Sequence, residues 1–262
     1  MWLLLVHLTQ AKVFLDVEET LALLERGAAL VDARIAATWR DGHLPGSGPV
    51  SWLDLRQGLL RNGWLTRDED RLEAAFESAG VRDDAPVVVV GEAREGWGEE
   101  GRIFWTLEVL GHEDAHILDG GLGAWKRSGR DLTQTPRPGG GSFTPRWQAA
   151  RQADTERVER ARSSGDATLW DTRTREEFAG ATPAGEARGG HIPGARSLWW
   201  KDLIDEQGEL LPREDLSGML EAAGIRDDQP VITLCSGGVR AGFAYAVLRE
   251  LGYKQPMNYD GS

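Results

Sequence analysis

Cysteine is almost absent from this sequence: position 235 holds the one cysteine in 262 residues. A single thiol cannot form a disulfide within the chain, so nothing indicates an oxidising compartment, and we expect a cytoplasmic protein. Long apolar runs are absent too. The opening segment M-W-L-L-L-V-H-L is too short to span a bilayer and lacks the basic start and cleavage site of a signal peptide. We expect it to pack on the folded domain, and we expect no membrane partner.

Positive charge is also scarce. The chain has 30 Lys and Arg against 42 Asp and Glu, which gives a formal net charge of −12. Nucleic acid binding requires a basic face, so we expect no nucleic acid partner. The same field repels small anions, and an anionic substrate would need a locally basic site. The mean hydropathy of −0.40 is typical of a soluble globular protein.

Five segments of the sequence occur twice, in the same order along the chain. The pairs are L-V-D-A-R at 30–34 with L-W-D-T-R at 169–173, G-H-L-P-G at 42–46 with G-H-I-P-G at 190–194, A-G-V-R-D-D-A-P-V at 79–87 with A-G-I-R-D-D-Q-P-V at 223–231, L-E-V-L-G at 107–111 with L-R-E-L-G at 248–252, and L-D-G-G at 118–121 with Y-D-G-S at 259–262. This repetition indicates two copies of one domain. We predict an N-terminal domain over residues 1–132, a linker over 133–152 and a C-terminal domain over 153–262, because the segment T-P-R-P-G-G-G-S-F-T-P at 135–145 is typical of a linker.

Helical and strand patterns alternate in each copy. In the second copy they predict helices near 154–163 and 213–223, a strand over P-V-I-T-L at 230–234, and a helix from near Ala241 to Gly252. Short apolar strands separated by helices favour an α/β fold, a parallel sheet with helices on both faces.

The cysteine lies in the turn C-S-G-G-V-R, residues 235–240, between that strand and that helix. Ligands of open α/β sheets bind beyond the carboxyl ends of the strands. We expect Gly237 and Gly238 to let the backbone curl and present N–H groups inward, while the helix N-terminus adds partial positive charge. These groups stabilise a thiolate, so Cys235 is predicted to be a nucleophile of lowered pKa. A merely structural cysteine would not account for the two glycines and the arginine.

The repeat provides an internal comparison for this turn. Cys235 corresponds to Gly91 in the first copy, which cannot act as a nucleophile. Gly91 also opens a longer loop rich in carboxylates, which oppose anion binding. These carboxylates belong to Glu92, Glu95, Glu99 and Glu100. We therefore predict that the first domain is catalytically inactive.

Three polar residues of the second copy recur in the first and are candidates for structural roles. They are Asp171, Arg173 and His191, which recur as Asp32, Arg34 and His43. We expect the acid and the arginine to form an ion pair at the strand end, and the histidine to stabilise the G-H-x-P-G turn.

The G-H-I-P-G-A turn, the six-residue cysteine loop and the closing Y-D-G-S together resemble the tandem-domain rhodaneses, the thiosulfate and 3-mercaptopyruvate sulfurtransferases. The likeness covers nearly the whole chain. It implies that Cys235 accepts a sulfane sulfur as a persulfide and passes it to a thiophile such as cyanide or a thiol. It implies no metal and no organic cofactor. The partners are then small molecules, with thiosulfate or 3-mercaptopyruvate as the anionic donor.

Arg240, at the end of the cysteine loop, is predicted to bind the donor. The accompanying candidates are the loop residues Ser236, Gly237, Gly238 and Val239, and Arg188 from the preceding loop. We expect a preference for thiosulfate, whose sulfonate is bonded directly to the transferable sulfur and lies within reach of charge at the loop. The family's mercaptopyruvate enzymes place an arginine where this chain has Glu177. A carboxylate there is expected to repel mercaptopyruvate unless Arg188 compensates.

Three other functions would use a cysteine in such a loop. A cysteine phosphatase needs five residues between its cysteine and arginine to enclose a phosphate, but only four separate Cys235 from Arg240. A 3-mercaptopyruvate sulfurtransferase remains open, because Ser236 and Gly237 are small, as in the loops of those enzymes. A non-catalytic persulfide carrier also remains open, and steady-state kinetics with small donors would distinguish it.

Overall fold

The helices and strands alternate along most of the chain. The structure, a computed structural model, describes residues 12–58, 63–92, 94–136, 139–183 and 188–262, so the opening apolar segment lies outside the described residues. The strands are β1 (Phe14–Leu15), β2 (Ala29–Asp32), β3 (Ser47–Pro49), β4 (Val87–Val90), β5 (Ala115–Leu118), β6 (Thr168–Asp171), β7 (Arg196–Ser197), β8 (Val231–Leu234) and β9 (Pro256–Asn258). The helices are α1 (Val17–Glu25), α2 (Ala36–Asp41), α3 (Trp52–Leu55), α4 (Glu69–Ser78), α5 (Glu99–Val109), α6 (Gly121–Arg127), α7 (Thr155–Ser164), α8 (Arg175–Ala179), α9 (Arg213–Ala222) and α10 (Val239–Leu251).

Two sheets form the centre of the fold, one in each half of the chain. Their strand orders are β1-β5-β4-β2-β3 and β7-β6-β8-β9. Every strand pair among the described residues is parallel. The central strands β4 and β8 have the sequences V-V-V-V and V-I-T-L and are buried throughout, as expected for strands covered on both faces. The predicted pair of α/β domains with parallel sheets is confirmed.

The helices of the second half begin close to the predicted positions. Helix α7 starts after Asp154, whose side chain accepts the N–H of Arg157 as an N-cap. Helix α10 begins two residues earlier than predicted, at Val239, because Gly238 adopts a φ of +69° and caps it. Arg240 therefore lies in the first helical turn, not in the loop, which corrects the prediction from the sequence.

Helices α5 and α10 pack against each other between the two sheets. Glycines on both helices allow a close backbone approach: a Cβ on Gly101 would lie 2.2 Å from the Cα of Phe243, and a Cβ on Gly242 would lie 2.7 Å from the Cα of Arg102. This contact brings the N-terminus of α5 next to the cysteine loop, which precedes α10.

The second part of the predicted linker packs on the first half. The N–H of Ser142 donates to the Val81 carbonyl at 2.9 Å, and Phe143 is buried with its ring 5.3 Å from that of Phe76. This part of the segment therefore packs in the hydrophobic core of the first half of the chain. Within the described ranges, no helix is both long and apolar enough to cross a membrane.

Candidate active site

The cysteine loop is short and tightly curled. Strand β8 ends at Leu234, Cys235 follows it, and α10 begins only four residues later. The Cys235 side chain is 7% exposed. Of the two glycines, only Gly238 has a positive φ; Gly237 does not, and a Cβ there would meet open space. The left-handed backbone that favours glycine therefore occurs at Gly238 alone of the two, while the N–H of Gly237 acts on the thiol as predicted.

The surroundings of Cys235 favour its thiolate. Burial raises the pKa of the thiol, but the Arg240 guanidinium and the N–H groups of Ala241, Gly237 and Ser236 act in the opposite direction. The net result is a pKa below the ordinary value of a cysteine. A thiolate held by backbone N–H groups at the start of a helix is a ready nucleophile.

Arg240 is anchored by Glu177 of α8. Its Nη1 and Nη2 donate to Oε2 and Oε1 of Glu177 at 2.7 and 2.9 Å, and Nη2 also donates to the Ser236 Oγ at 3.0 Å. Both charged side chains are buried. Glu177 is therefore the ion-pair partner of Arg240, whose charge offsets the carboxylate that was expected to repel 3-mercaptopyruvate. The capping box of α8, formed between Thr174 and Glu177, fixes the carboxylate in this place.

The predicted ion pairs at the strand ends are confirmed. The Nη2 of Arg173 lies 2.7 Å from the Asp171 carboxylate, and the same atom donates to the Gly190 carbonyl at 2.8 Å. In the first half, Arg34 makes the matching contacts with Asp32 and with the Gly42 carbonyl. Each arginine thus ties the end of a strand to a G-H-x-P-G turn.

The turn histidines have the predicted structural contacts. The His191 Nδ1 donates to the Phe178 carbonyl at 2.9 Å, and its ring stacks on that of Phe178 at 3.6 Å. His43 does the same with Trp39.

A cleft of about 490 Å³ opens beside Cys235. Arg162 of α7 and Arg173 are its arginines, whereas Arg188 is exposed and does not line it. Sequence reasoning missed Arg162, because it lies far from the loop in sequence and only the packing of α7 brings it there.

The first half of the molecule also reaches the cysteine loop. The guanidinium of Arg240 lies 5.4 Å from the ring centroid of Trp97, whose side chain is 61% exposed. Gly63 packs so closely that a Cβ there would lie 2.5 Å from the Gly237 carbonyl oxygen. No motif marks Trp97 or Gly63, so neither contact was predictable from the sequence.

Comparison with known proteins decides the family. The model of the rhodanese-like domain matches residues 16–128 and again residues 154–262, most of the chain. The chain belongs to the rhodanese-like family. The predicted resemblance and the two rhodanese-like domains are thereby confirmed.

Individual relatives of this rhodanese-like protein span nearly its full length. It is 36% identical over 234 residues to a thiosulfate sulfurtransferase of Pseudomonas aeruginosa, covering 89% of this chain and 85% of the relative. It is 28% identical over 240 residues to the sulfur carrier protein TtuD of Thermus thermophilus, covering 84% and 81%. The fold matches the crystal structure of SseA, a 3-mercaptopyruvate sulfurtransferase from Escherichia coli, with a TM-score of 0.85 and 26% identity over 96% of this chain and 99% of SseA.

The first rhodanese-like domain has a carboxylate where the second has its thiol. A Cβ on Gly91 would lie 2.1 Å from the Oε2 of Glu100, so the absence of a side chain at 91 makes room for this acid. The Glu100 Oε2 is buried without a hydrogen-bond partner. Burial, reinforced by the charge of Glu99, raises the pKa of Glu100 to about 8. Gly91 supplies no thiol, and the Glu100 carboxylate lies where a side chain at position 91 would lie.

Proposed function

We propose that this protein is a sulfurtransferase that takes the sulfane sulfur of thiosulfate onto Cys235 and passes it to cyanide or another thiophile. The sulfurtransferase class follows from the family and from relatives named thiosulfate sulfurtransferase, which are similar to this chain over most of their length. The single observation that carries the mechanism is the buried thiol with lowered pKa among loop N–H groups.

The chemistry proceeds in two displacements at sulfur. The Cys235 thiolate attacks the outer sulfur of thiosulfate, a Cys–S–S bond forms, the S–S bond of thiosulfate breaks, and sulfite leaves with the electron pair. The carbon of cyanide then attacks the terminal sulfur of the persulfide, a C–S bond forms to give thiocyanate, and the Sγ–S bond breaks with its electron pair returning to the Cys235 thiolate. The same loop N–H groups that stabilise the thiolate serve the persulfide anion, which carries an equal charge.

Donor binding is assigned to Arg240 and to the loop from Ser236 through Gly237 and Gly238 to Val239. These residues combine a cation with successive N–H groups near the thiol, which suits a sulfonate attached directly to the transferred sulfur. Arg188 is retained as a candidate because it lies next to the G-H-I-P-G turn, although its side chain is exposed. The first domain is proposed to be inactive, since Gly91 and Glu100 leave no nucleophile there.

The donor assay tests this function. We expect kcat/KM with cyanide as acceptor to be higher for thiosulfate than for 3-mercaptopyruvate at matched pH and ionic strength. Intact mass after thiosulfate treatment should rise by one sulfur, and cyanide should remove it. Cys235→Ser should abolish both, and transfer activity in that variant would refute the role of the thiol. A higher kcat/KM for 3-mercaptopyruvate would overturn the choice of donor, and Arg188→Ala would then be examined first.

A persulfide carrier is the second candidate, supported by the likeness to TtuD. It would accept one sulfur per chain but fail to turn over with cyanide in the steady state. A cytoplasmic location is proposed as well, because the thiol must stay reduced to accept sulfur. Cell fractionation tests that location.

A further inference from the structure

Arg102 is a buried arginine of the first domain that the proposed chemistry does not use. It lies on α5 and is 1% exposed. Its Nη1 donates to the Gly238 carbonyl at 3.3 Å, and its Nη2 donates to the Gly63 carbonyl at 2.5 Å. Nη2 also lies 3.9 Å from the Asp260 carboxylate. A buried guanidinium is costly to desolvate, so its presence at the edge of the other domain's loop calls for a role.

The close approach of α5 and α10 places Arg102 there. Gly242 has no side chain, and the Cα of Arg102 occupies the space where its Cβ would lie. The arginine side chain can then extend beside the start of α10, with its guanidinium 4.6 Å from the ring centroid of Trp105. The contact is equally tight at the loop, since a Cβ on Gly238 would lie 2.5 Å from Nη1 of Arg102.

The carbonyl that Arg102 contacts is the capping carbonyl of α10. The Gly238 oxygen accepts three hydrogen bonds: from the Gly242 N–H at 3.2 Å, from the Asn258 Nδ2 at 3.0 Å and from Arg102. Because a peptide group is planar, fixing this carbonyl fixes the whole peptide between Gly238 and Val239. That peptide joins the loop to the helix, and N–H groups on both sides of it, from Gly237 and Ala241, face the Cys235 thiol.

We propose that Arg102 is a positioning residue of the second domain's cysteine loop, through which the inactive first domain sets the orientation of the loop N–H groups and adds positive charge beside Cys235. This inference rests on the proposed function for its catalytic consequence. Burial lowers the pKa of Arg102, and the charges of Asp260 and then Cys235 act in the opposite direction, which places the cation within electrostatic reach of the thiolate across the domain boundary.

Several other charged groups surround the thiol and its cleft and set the background for any test. Arg240 of α10 acts on the thiol, and Glu159 and Arg162 of α7, Arg173 after β6 and His191 of the turn line the cleft. Behind them, Glu177 pairs with Arg240, Asp171 at the end of β6 pairs with Arg173, and Asp260 after β9 lies near Arg102. Of these, Asp260 is the one that loses a partner when Arg102 is removed, although the Leu65 N–H and the Gln152 amide still donate to it.

The experiment measures the rate of Cys235 alkylation by iodoacetamide against pH, which needs no sulfur donor, beside kcat and KM for thiosulfate. In Arg102→Met, we expect the midpoint of the alkylation rate against pH to rise by about one pH unit, so that the rate at pH values below the midpoint falls about tenfold. We expect kcat to fall at least tenfold and the donor KM to change less than threefold. Arg102→Lys keeps the charge but cannot donate to the Gly238 and Gly63 carbonyls at the same time. Its alkylation rate should be close to that of the wild type, whereas its kcat should recover less.

Two further variants keep the result interpretable. If Arg102→Met fails to fold, the double variant Arg102→Met/Asp260→Asn takes its place, because it also removes the acid that has lost its partner. Arg151→Met is the matched control, because Arg151 is an arginine of the same interface that binds Glu108 and Tyr245 and does not contact the loop. It should lower the melting temperature and leave the alkylation profile of Cys235 unchanged.

The outcomes separate the two proposals. A folded Arg102→Met or double variant with wild-type alkylation rates and kcat overturns the role of Arg102. Equal losses of alkylation in Arg151→Met also overturn it, because the effect would then be loss of the interface in general. A wild-type protein that alkylates normally but transfers no sulfur refutes the proposed function, and the alkylation profiles still decide whether Arg102 positions the loop.

Discussion

At the scale of single residues, the pair of Arg240 and Glu177 controls the charge beside the thiol. Arg240→Ala removes the cation that acts most strongly on the thiol, so we expect the donor KM to rise about tenfold or more, in line with about 1.5–3 kcal/mol for a charge-assisted hydrogen bond. The pKa of Cys235 should rise as well, because Arg240 no longer opposes the effect of burial.

Glu177→Gln is the matched opposite. It leaves Arg240 uncompensated, so the thiol pKa should fall further, while the free energy of unfolding falls because a buried charge has lost its partner. Alkylation profiles and thiosulfate kinetics of both variants check the two directions. Identical thiol titrations in the two variants and the wild type would exclude this role of the pair.

Glu100 makes stability depend on pH. Its pKa is about 8 in the folded protein against an ordinary 4.5, because burial and Glu99 disfavour its charge. The unfolded chain therefore loses this proton at lower pH than the folded chain does. The free energy of unfolding should fall by up to about 5 kcal/mol as the pH rises from 4.5 to 8, and level off above 8.

Denaturant unfolding at several pH values checks this contribution. Subtracting the profile of Glu100→Gln from that of the wild type isolates the titration, and the exposed Glu176→Gln serves as a control that should show no such difference. Parallel wild-type and Glu100→Gln profiles between pH 5 and 8 would mean that Glu100 is already ionised in the folded protein.

At the scale of elements, the conformation of the junction between β8, the cysteine loop and α10 depends more on Gly238 than on Gly237. Gly238→Ala must place a Cβ at a φ of +69° and within 2.5 Å of Arg102 Nη1. We expect it to lower the free energy of unfolding by at least about 2 kcal/mol and to reduce kcat strongly. The Cβ of Gly237→Ala meets open space, so the free energy of unfolding of this variant should lie within about 1 kcal/mol of the wild-type value. Equal stabilities of the two variants, measured by denaturant unfolding, would contradict this account of the curl.

The same junction shows how far the sequence could be interpreted. Repeated segments, apolar strand patterns and the lone cysteine predicted two α/β domains and placed Cys235 between a strand and a helix. These features are local or repeated, so they can be recognised in the amino-acid sequence alone. The partner of Arg240 was not predictable in this way, because Glu177 lies 63 positions away and was expected to act on substrate. Trp97 and Arg102 reach the loop through the packing of α5 on α10, which no local pattern encodes.

At the scale of the whole molecule, the two domains exchange equivalent contacts. The Asp260 carboxylate of the second domain accepts the Leu65 N–H of the first at 2.7 Å. Asp119, at the matching place in the first domain, accepts the Leu210 N–H of the second at 2.8 Å. Each domain thus uses the aspartate after its last strand to hold a loop of the other. These reciprocal contacts make the loops of each domain depend on the other domain.

The second domain expressed alone should therefore be less stable and less active than the whole chain. Residues Val239–Leu248 of α10 are all buried in the full protein, and α5 covers part of that helix. Exposing large apolar side chains such as Phe243 costs roughly 1.5–3 kcal/mol each, a large part of the stability of one small domain. Loss of Arg102 and Gly63 would also free the cysteine loop.

Thermal melts and thiosulfate kinetics of a 133–262 fragment, alone and mixed with a separate 1–132 fragment, measure both effects. Recovery of activity on mixing would show that the first domain acts by contact. Full activity and an unchanged melting temperature in the fragment alone would rule out a supporting role for the first domain.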